Sequence, residues 1–404
     1  MRAGRESESM PFLDRTTPPH ILTLVIATAV SALATNVFLP SLPGIARHFE
    51  ADYAVAQLTV SIYLAATAFL QPGIGPASDR FGRRPVMLAC LGIFVVGSVA
   101  ALWAPTIEIL LAARVLQAFS AAGMVLGRAI VRDTVDTDEA ASRIGYITMG
   151  MALVPMVAPM IGGLLDEIHG WHAPFALMLG FGVLGLAVVF LDLGETNRSK
   201  SAGMLAQMRA YPELLGSRRF WGYTLTAAFT SATFFAFLGG GPFVASELMG
   251  LRPSEYGLYF GLVSLGYVAG NFLSGRYSRQ MGINRMMLTG NVTSAVGMAV
   301  ALGLFAVGID HALALFGPMV LLGVGNGMTL PSANAGIVSV RPHLAGSASG
   351  LGGALQLGIA AAVSTLAGVL VTPQSGALPL LGLMLVCAFA AVVATLFVIY
   401  SGRR

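Results

Sequence analysis

Residues 75–85, GPASDRFGRRP, separate two long apolar runs and decide how the chain folds. Gly75 and Gly82 permit close approach and positive φ angles, so the segment is predicted to contain a helix end, a tight turn and a helix start. Asp79, between them, can pair with an arginine or face a helix N-terminus. The segment also carries three basic residues, Arg80, Arg83 and Arg84. Such a loop between apolar runs is typical of one face of a membrane protein.

The composition of the whole chain indicates the same environment. Of 404 residues, 56% are hydrophobic and only 10% are charged, whereas a soluble domain averages about 25% charged residues. The charges are clustered and leave repeated stretches of about 20 uncharged residues, the length that a helix needs to cross a bilayer. Outer-membrane strands would instead alternate every second residue. The predicted fold class is therefore an all-α polytopic membrane protein.

Twelve transmembrane helices are predicted, the first of them retained rather than cleaved as a signal peptide. We place them at 21–45, 54–74, 85–104, 107–127, 144–165, 173–193, 220–244, 256–275, 286–308, 312–331, 345–371 and 377–400. An even number of spans puts both termini on one face. Because 20 of the 23 Lys and Arg residues lie in loops or tails of that face, both termini are predicted to be cytoplasmic in an inner (plasma) membrane.

The chain divides into two related halves. The predicted divisions are a cytoplasmic N-terminal tail at 1–20, a six-helix bundle at 21–193, a cytoplasmic linker at 194–219 and a second six-helix bundle at 220–404. Residues 275–285, GRYSRQMGINR, follow the eighth span and share three small residues with 75–85 at an offset of 200: Gly275, Ser278 and Gly282 correspond to Gly75, Ser78 and Gly82. Two parallel repeats of six spans are the arrangement of alternating-access carriers.

The loop at 75–84 resembles the signature of the major facilitator superfamily: Gly, three residues, Asp, Arg, any residue, Gly, Arg, Arg. Arg114-Val-Leu-Gln117 resembles the family's Arg-x-x-Gln motif, and the string ending at Asp133 resembles the end of the fourth span in Bcr/CflA-type drug exporters. Residues of the fifth span resemble the motif associated with antiporters: Pro155, Pro159, Gly162 and Gly163. Together the strings are similar to the drug:proton antiporter type.

The resemblance implies a monomeric carrier that exports small amphiphilic molecules, such as drugs or phenicols, by alternating access. It also implies proton antiport and a loop that stabilises one conformational state. The predicted gate residues are Gly75, Asp79, Arg80, Gly82, Arg83, Arg84 and Asp133. The small-molecule substrate, protons and the bilayer are the expected partners.

One departure from the resemblance concerns substrate charge. Many relatives carry an acidic residue at the place of Asn36, which cannot titrate. The predicted spans put all 19 acidic residues in loops or at span ends, so Arg114 is the deepest charge; it either lines the cavity or binds backbone carbonyls or Gln117. A neutral to positive cavity favours neutral or zwitterionic substrates. The predicted cavity residues are Asn36, Tyr63, Arg114, Gln117, Phe234 and Phe235.

Several alternatives to this interpretation stay open. Proton-independent transport, or uptake of a small metabolite, uses the same fold, and only Asp79, Asp133 and Asp192 remain as candidate proton carriers. A membrane-embedded enzyme is disfavoured because the sequence lacks His-Glu-x-x-His and Gly-x-Ser-x-Gly. Two distant cysteines, Cys90 and Cys387, support no metal site, and no cofactor is expected. The dispersed basic residues predict no nucleic-acid partner.

Overall fold

The computed structural model describes residues 13–135, 154–155, 157–197, 211–341 and 344–401. In this part of the chain, eleven helices are long and apolar enough to cross a membrane, which confirms the all-α polytopic fold class. They are Ile21–His48, Tyr53–Phe81, Arg83–Leu102, Ile107–Val131, His172–Asp192, Arg218–Leu248, Pro253–Met281, Ile283–Ala306, Ala312–Ser339, Gly346–Leu370 and Leu378–Ser401.

Half of the fifth predicted span, 144–165, lies outside the described residues. Its described part is helical at 157–169. We therefore keep the predicted numbering, and the eleven helices above are spans 1 to 4 and 6 to 12. We call the membrane face from which span 1 starts the terminal face, and the other the opposite face.

Span 2 is longer than predicted and changes the interpretation of Gly75. The helix Tyr53–Phe81 continues through Gly75, so the expectation that Gly75 lies at a helix end was wrong. A Cβ on Gly75 would meet no atom of the described residues within 4 Å, so none of their contacts requires the glycine. Two prolines, Pro72 and Pro76, lie inside this helix; membrane helices tolerate them because neighbouring groups satisfy the freed carbonyls.

The turn of the loop consists of one residue, and the second half repeats it. Gly82 has a φ of 104°, and the next helix starts directly afterwards at Arg83. Two hundred residues later, the helix Pro253–Met281 ends at Gly282, whose φ is 77°, before the helix Ile283–Ala306. A side chain rarely adopts these angles, which accounts for glycine at both positions. The internal repeat seen in the sequence is therefore a repeat of structure.

Spans 1, 4 and 7 are interrupted near their middles or ends. In span 1, the helix Ile21–Asn36 gives way to a 3₁₀ turn at Leu39–Ser41 and a short helix at Leu42–His48. Pro40 and Pro43 lack the amide hydrogens that a continuous helix needs. Span 4 has a 3₁₀ turn at Ala118–Ser120, and span 7 ends in the π-helical turn Val244–Leu248. The first interruption sets the position of Asn36.

Spans 2 and 11 pack against each other and join the two halves. Gln57 of span 2 donates from Nε2 to the Ser364 hydroxyl of span 11 at 2.8 Å. The Gln57 side chain also lies so close to Gly368 that a Cβ there would be 2.8 Å from it. Spans 5 and 8 form a second contact between the halves.

Candidate gate and substrate site

Arg83 is the centre of an ion-pair cluster formed by three of the predicted gate residues, and we refer to this cluster as the gate. Its Nη1 atom lies 2.5 Å from an Asp79 carboxylate oxygen, and its Nε donates to Asp133 at 2.9 Å. Nη1 also donates to the Ser78 hydroxyl at 2.5 Å. One guanidinium thus ties the end of span 2 to the end of span 4. Charge-assisted hydrogen bonds of this kind are about twice as strong as neutral ones.

The start of the predicted linker also binds this gate, which the sequence did not reveal. Glu195 accepts from the Arg83 amide at 2.9 Å, and Asn197 donates from Nδ2 to the Asp79 carbonyl at 2.8 Å. A Cβ on Gly82 would overlap the Glu195 carboxylate. Asn197 lies in an Asn-x-Ser string, whose usual association with glycosylation gives no hint of a capping role. The end of span 6 and the gate therefore form one unit.

The other predicted gate residues lie beside the Arg83 cluster rather than in it. Arg80 places its guanidinium 5.2 Å from the centre of the Phe81 ring. Arg84 donates to the Phe190 carbonyl at 3.3 Å and lies 5.4 Å from the Phe190 ring. Arg84 thus contacts span 6. The structure brings together Asp79, Arg83 and Asp133, with Gly82 at the turn.

Arg114 is enclosed completely within the first half. It donates to the backbone carbonyls of Thr59 and Ala34, both at 2.9 Å, and to Gln117 Oε1 at 2.5 Å. Its guanidinium lies 4.3 Å from the Phe38 ring centre and 4.5 Å from that of Tyr63. The side chain has no exposed surface, so in this conformation it does not line an open cavity. This is the geometry of the structural alternative that the sequence left open.

The neighbouring candidate residues Gln117 and Tyr63 are also buried. Gln117 donates from Nε2 to Ser98 at 3.0 Å. The Tyr63 hydroxyl lies 3.1 Å from the Ser31 hydroxyl and 3.0 Å from that of Ser120. Ser120 lies in the 3₁₀ turn that interrupts span 4. These bonds support the ring that covers Arg114.

Asn36 is the buried candidate with unused hydrogen-bonding capacity. It is 5% exposed and donates from Nδ2 to the Ala32 carbonyl at 2.8 Å. Its Oδ1 atom has no hydrogen-bond partner among the described residues. An unpaired buried oxygen costs about 1–3 kcal/mol. Asn36 therefore offers an acceptor at the break in span 1.

Phe234 and Phe235 lie in span 7 and are half-buried. Their rings are 5.7 Å apart in an edge-on arrangement, and Phe234 is 5.9 Å from Phe260 of span 8. Phe237, one turn further, is fully buried among aromatic rings. Of these three, Phe234 and Phe235 present the accessible aromatic surface.

The glycines of the fifth span allow two different helices to approach. A Cβ on Gly162 would overlap the Val37 carbonyl at the break in span 1, and a Cβ on Gly163 would overlap the Pro253 carbonyl of span 8. Pro159 is buried, and the Pro155 carbonyl accepts from Ser264 of span 8 at 3.4 Å. The motif therefore lies in the contact between the halves.

Asp192, a candidate proton carrier, is fully buried at the terminal-face end of span 6. Its carboxylate accepts from the amides of Leu13 and His20 at 2.8 Å and from the Thr23 hydroxyl at 2.5 Å. The residue fastens the segment before span 1 to span 6. No sequence motif predicts this contact.

Polar contacts close the opposite face between the halves. Arg47 pairs with Glu247 at 2.7 Å, and Arg252 pairs with Glu167 at 3.3 Å. Tyr53 donates to the Gly239 carbonyl at 2.9 Å. In contrast, the Arg83 ion pairs at the terminal face lie within the first half. Within the described residues, no group of three or more His, Cys, Asp or Glu side chains is placed to hold a metal ion.

Comparison with known proteins accounts for this architecture. The model of the Major Facilitator Superfamily matches residues 24–365 and 246–403. The chain is 32% identical to the uncharacterized MFS-type transporter YdgK of Bacillus subtilis, with 95% of this chain and 94% of the relative covered.

Two further relatives carry names that describe resistance. A bicyclomycin resistance protein homolog of Haemophilus influenzae is 29% identical, covering 93% of this chain and 95% of the relative. A chloramphenicol resistance protein of Pseudomonas aeruginosa is 29% identical, covering 81% and 79%. With matches along nearly its whole length, the chain belongs to the Major Facilitator Superfamily of multi-pass membrane transporters.

Proposed function

We propose that this transporter exports small neutral or zwitterionic amphiphiles, of which phenicols are the model, in exchange for protons. Relatives named for chloramphenicol and bicyclomycin resistance support the substrate class. The observation that carries the proposal is Asn36, a buried amide with a free acceptor at the position where many drug exporters have an acid. An amide binds a neutral donor without the desolvation cost of a charge.

The electrostatics of the spans support this choice of substrate. Among the described residues, Arg114 and Asp192 are the buried charged side chains, and Asp192 lies at a span end. A lipophilic cation would therefore meet no carboxylate in the middle of the described bundle, and the Arg114 charge would repel it. Uncharged aromatic surface is available at Phe234 and Phe235. A flat, neutral molecule with a polar end suits these groups.

Alternating access is supported by the different contacts at the two faces. The opposite face is held by pairs that join the halves, such as Arg47 with Glu247, whereas the Arg83 pairs remain within one half. We assign this conformation to the state open at the terminal face. The distribution of basic residues makes that face cytoplasmic, where an exporter collects substrate.

The gate changes the balance between states through the Arg83 cluster. In the proposed mechanism, the loop at residues 75–84 meets the second half when the terminal face closes. If this contact contributes about 2 kcal/mol, its loss changes the ratio of states about thirtyfold. Gly163 and Pro253 keep spans 5 and 8 in contact, so this contact serves as the pivot.

Proton coupling is assigned to the gate carboxylates. Asp192 is unsuitable because its carboxylate is fully buried and is fastened to two backbone amides and the Thr23 hydroxyl. Asp79 and Asp133 share Arg83 and are partly exposed, with 20% and 25% of their side-chain surface accessible. Protonation of either would weaken the cluster and release the gate.

Proton-independent transport is the second candidate, and one observation favours it. Asn36 cannot titrate, and it occupies the place of the acid that many drug exporters carry. In that case the substrate gradient alone would drive transport, with the same two conformational states.

The test uses purified full-length protein in proteoliposomes that contain a pH-sensitive dye. A neutral phenicol and then a cationic dye are added under an imposed proton gradient. Phenicol-driven proton movement is expected, and Asp79→Asn, which should insert normally, is expected to abolish it. Phenicol transport without proton movement would contradict antiport. Preference for the cationic dye would contradict the proposed substrate class.

A further inference from the structure

A cavity of about 650 Å³ lies at the terminal-face end of the second half. It is enclosed by the start of span 7, the turn between spans 8 and 9, and the end of span 12. Two arginines, Arg219 and Arg285, and the amide of Asn284 supply its polar part. This position is at the periphery of the bundle, away from both Asn36 and the Arg83 cluster.

The two arginines make the cavity attractive to an anion. Both are exposed, and neither guanidinium has a hydrogen-bond or ion-pair partner among the residues that the structure describes. Tyr223, which is 2% exposed, donates its hydroxyl to Asn284 Oδ1 at 3.1 Å. This bond leaves the Asn284 amide hydrogens available as further donors. The polar part is thus composed of donors and positive charge.

The internal repeat provides a comparison, because the first half has a carboxylate at the position equivalent to this cavity. In the first half, the Glu195 carboxylate lies against Gly82 and accepts from the Arg83 amide at 2.9 Å. At the equivalent Gly282 of the second half, a Cβ would meet no atom of the described residues within 4 Å. The first half therefore supplies its own anion where the second half has an open cavity.

The remaining walls select a lipid over a free ion. Leu288, Val398 and Ile399 line the cavity. From Leu288, an apolar stripe with a four-residue period continues along span 9 through Val292 and Val296, which are 45% and 51% exposed. This face is where a bilayer would lie against the helix. An acyl chain that follows the stripe would place its headgroup at the arginines.

We propose that this cavity binds the phosphate headgroup of an anionic phospholipid, with one acyl chain along span 9. Basic pockets between helices at a membrane interface are suited to such headgroups. The site is separate from the export pathway, so it does not depend on the substrate proposed above. Anionic lipid would brace spans 7, 9 and 12 at the terminal face.

The experiment titrates phosphatidylglycerol and phosphatidylcholine onto the delipidated full-length protein and follows bound lipid by native mass spectrometry. The unchanged chain should prefer phosphatidylglycerol. The double variant Arg219→Gln with Arg285→Gln should bind it about twenty-fivefold more weakly, since each surface arginine contributes about fivefold. Both arginines are exposed, so folding should be preserved.

A matched control removes the same charge from the same face. Arg218→Gln with Arg279→Gln alters exposed arginines that do not line the cavity, and phosphatidylglycerol binding should stay within about twofold. Equal weakening by both double variants, or equal binding of the two lipids, would overturn the site. Inorganic phosphate that displaces phosphatidylglycerol at comparable concentration would show a free-anion site instead and overturn the lipid assignment.

Discussion

Arg114 and Asp192 are buried in different ways. Arg114 gives its donors to two backbone carbonyls and Gln117 and lies between two aromatic rings. Asp192 receives donors from two amides and a hydroxyl. A charge within a membrane protein needs such partners. Each side chain therefore fixes the relative position of several spans.

Replacing Arg114 with lysine tests whether its shape matters as well as its charge. Lysine keeps the positive charge but cannot reproduce the planar fork that reaches Thr59, Ala34 and Gln117. We expect Arg114→Lys to lower the free energy of unfolding by about 3 kcal/mol, since hydrogen bonds to charged groups contribute about 1.5–3 kcal/mol each. Thermal unfolding in detergent would measure the change.

The control for Arg114 is Tyr63→Phe. It removes the hydroxyl that contacts Ser31 and Ser120 but leaves the ring over the guanidinium. A loss of about 1 kcal/mol is expected. If Arg114→Lys is as stable as the unchanged protein, the site around Arg114 requires only a positive charge and not the shape of the guanidinium.

Asn36→Asp should extend the substrate range to lipophilic cations. The new carboxylate at the break in span 1 would attract a cation. In the unchanged protein, the buried charge of this region, among the described residues, is the positive charge of Arg114. Transport of a cationic dye into inverted vesicles should rise severalfold, while phenicol transport falls. Asn36→Leu, which removes the amide without adding charge, should gain no dye transport. Absence of a gain in Asn36→Asp would refute the electrostatic argument.

The sequence was informative about individual residues where a motif exists and silent elsewhere. Asp79, Arg83 and Asp133 were predicted as gate residues, and the structure places them together. The contacts of Asn197 and Asp192 join residues more than a hundred positions apart. Their partners are mostly backbone groups, which every residue has, so neither composition nor spacing predicts these contacts.

The equivalent turns after spans 2 and 8 provide a matched experiment on one element. Gly82 and Gly282 both have positive φ angles, and alanine should cost about 2 kcal/mol at each from backbone strain. At Gly82 the added Cβ would also displace Glu195 from the Arg83 amide. Gly82→Ala should therefore lower the unfolding temperature more than Gly282→Ala and reduce transport as well. Equal effects would show that Glu195 contributes nothing to the gate.

At the scale of whole helices, apolar run length predicted the spans well and their ends poorly. Span 2 was expected to end at residue 74 but continues to Phe81. Charged and small residues end an apolar run without ending a helix, and a helix can extend beyond the hydrocarbon. The breaks in span 1 follow from Pro40 and Pro43. The 3₁₀ turn at Ala118–Ser120 contains no proline, so the sequence does not predict it.

The contacts between the halves predict how the whole molecule can be locked. Arg47 and Glu247 end spans 1 and 7 and pair at the opposite face. Arginine and glutamate are too long for their ion pair to imply disulfide distance, so cysteines at both positions would be joined by a bifunctional methanethiosulfonate reagent about as long as the lost pair. This cross-link should hold the face closed and stop transport. A reducing agent should restore transport.

The control for this lock uses one cysteine at a time. Arg47→Cys alone should transport as well as the unchanged protein, because exposed ion pairs contribute little to stability. Full transport by the cross-linked double variant would show that this face does not need to open. Cross-linking would be followed by gel mobility and transport by dye release.

The hydrogen bonds that Asp192 accepts from the segment before span 1 have a consequence for the order of events during synthesis. Leu13 emerges from the ribosome long before its acceptor, which lies 179 residues later in the chain. Until translation reaches the end of the sixth span, the first segment has nowhere to dock. Its docking therefore cannot precede translation of Asp192, so the segment before span 1 reaches its bound position only after the sixth span has been made.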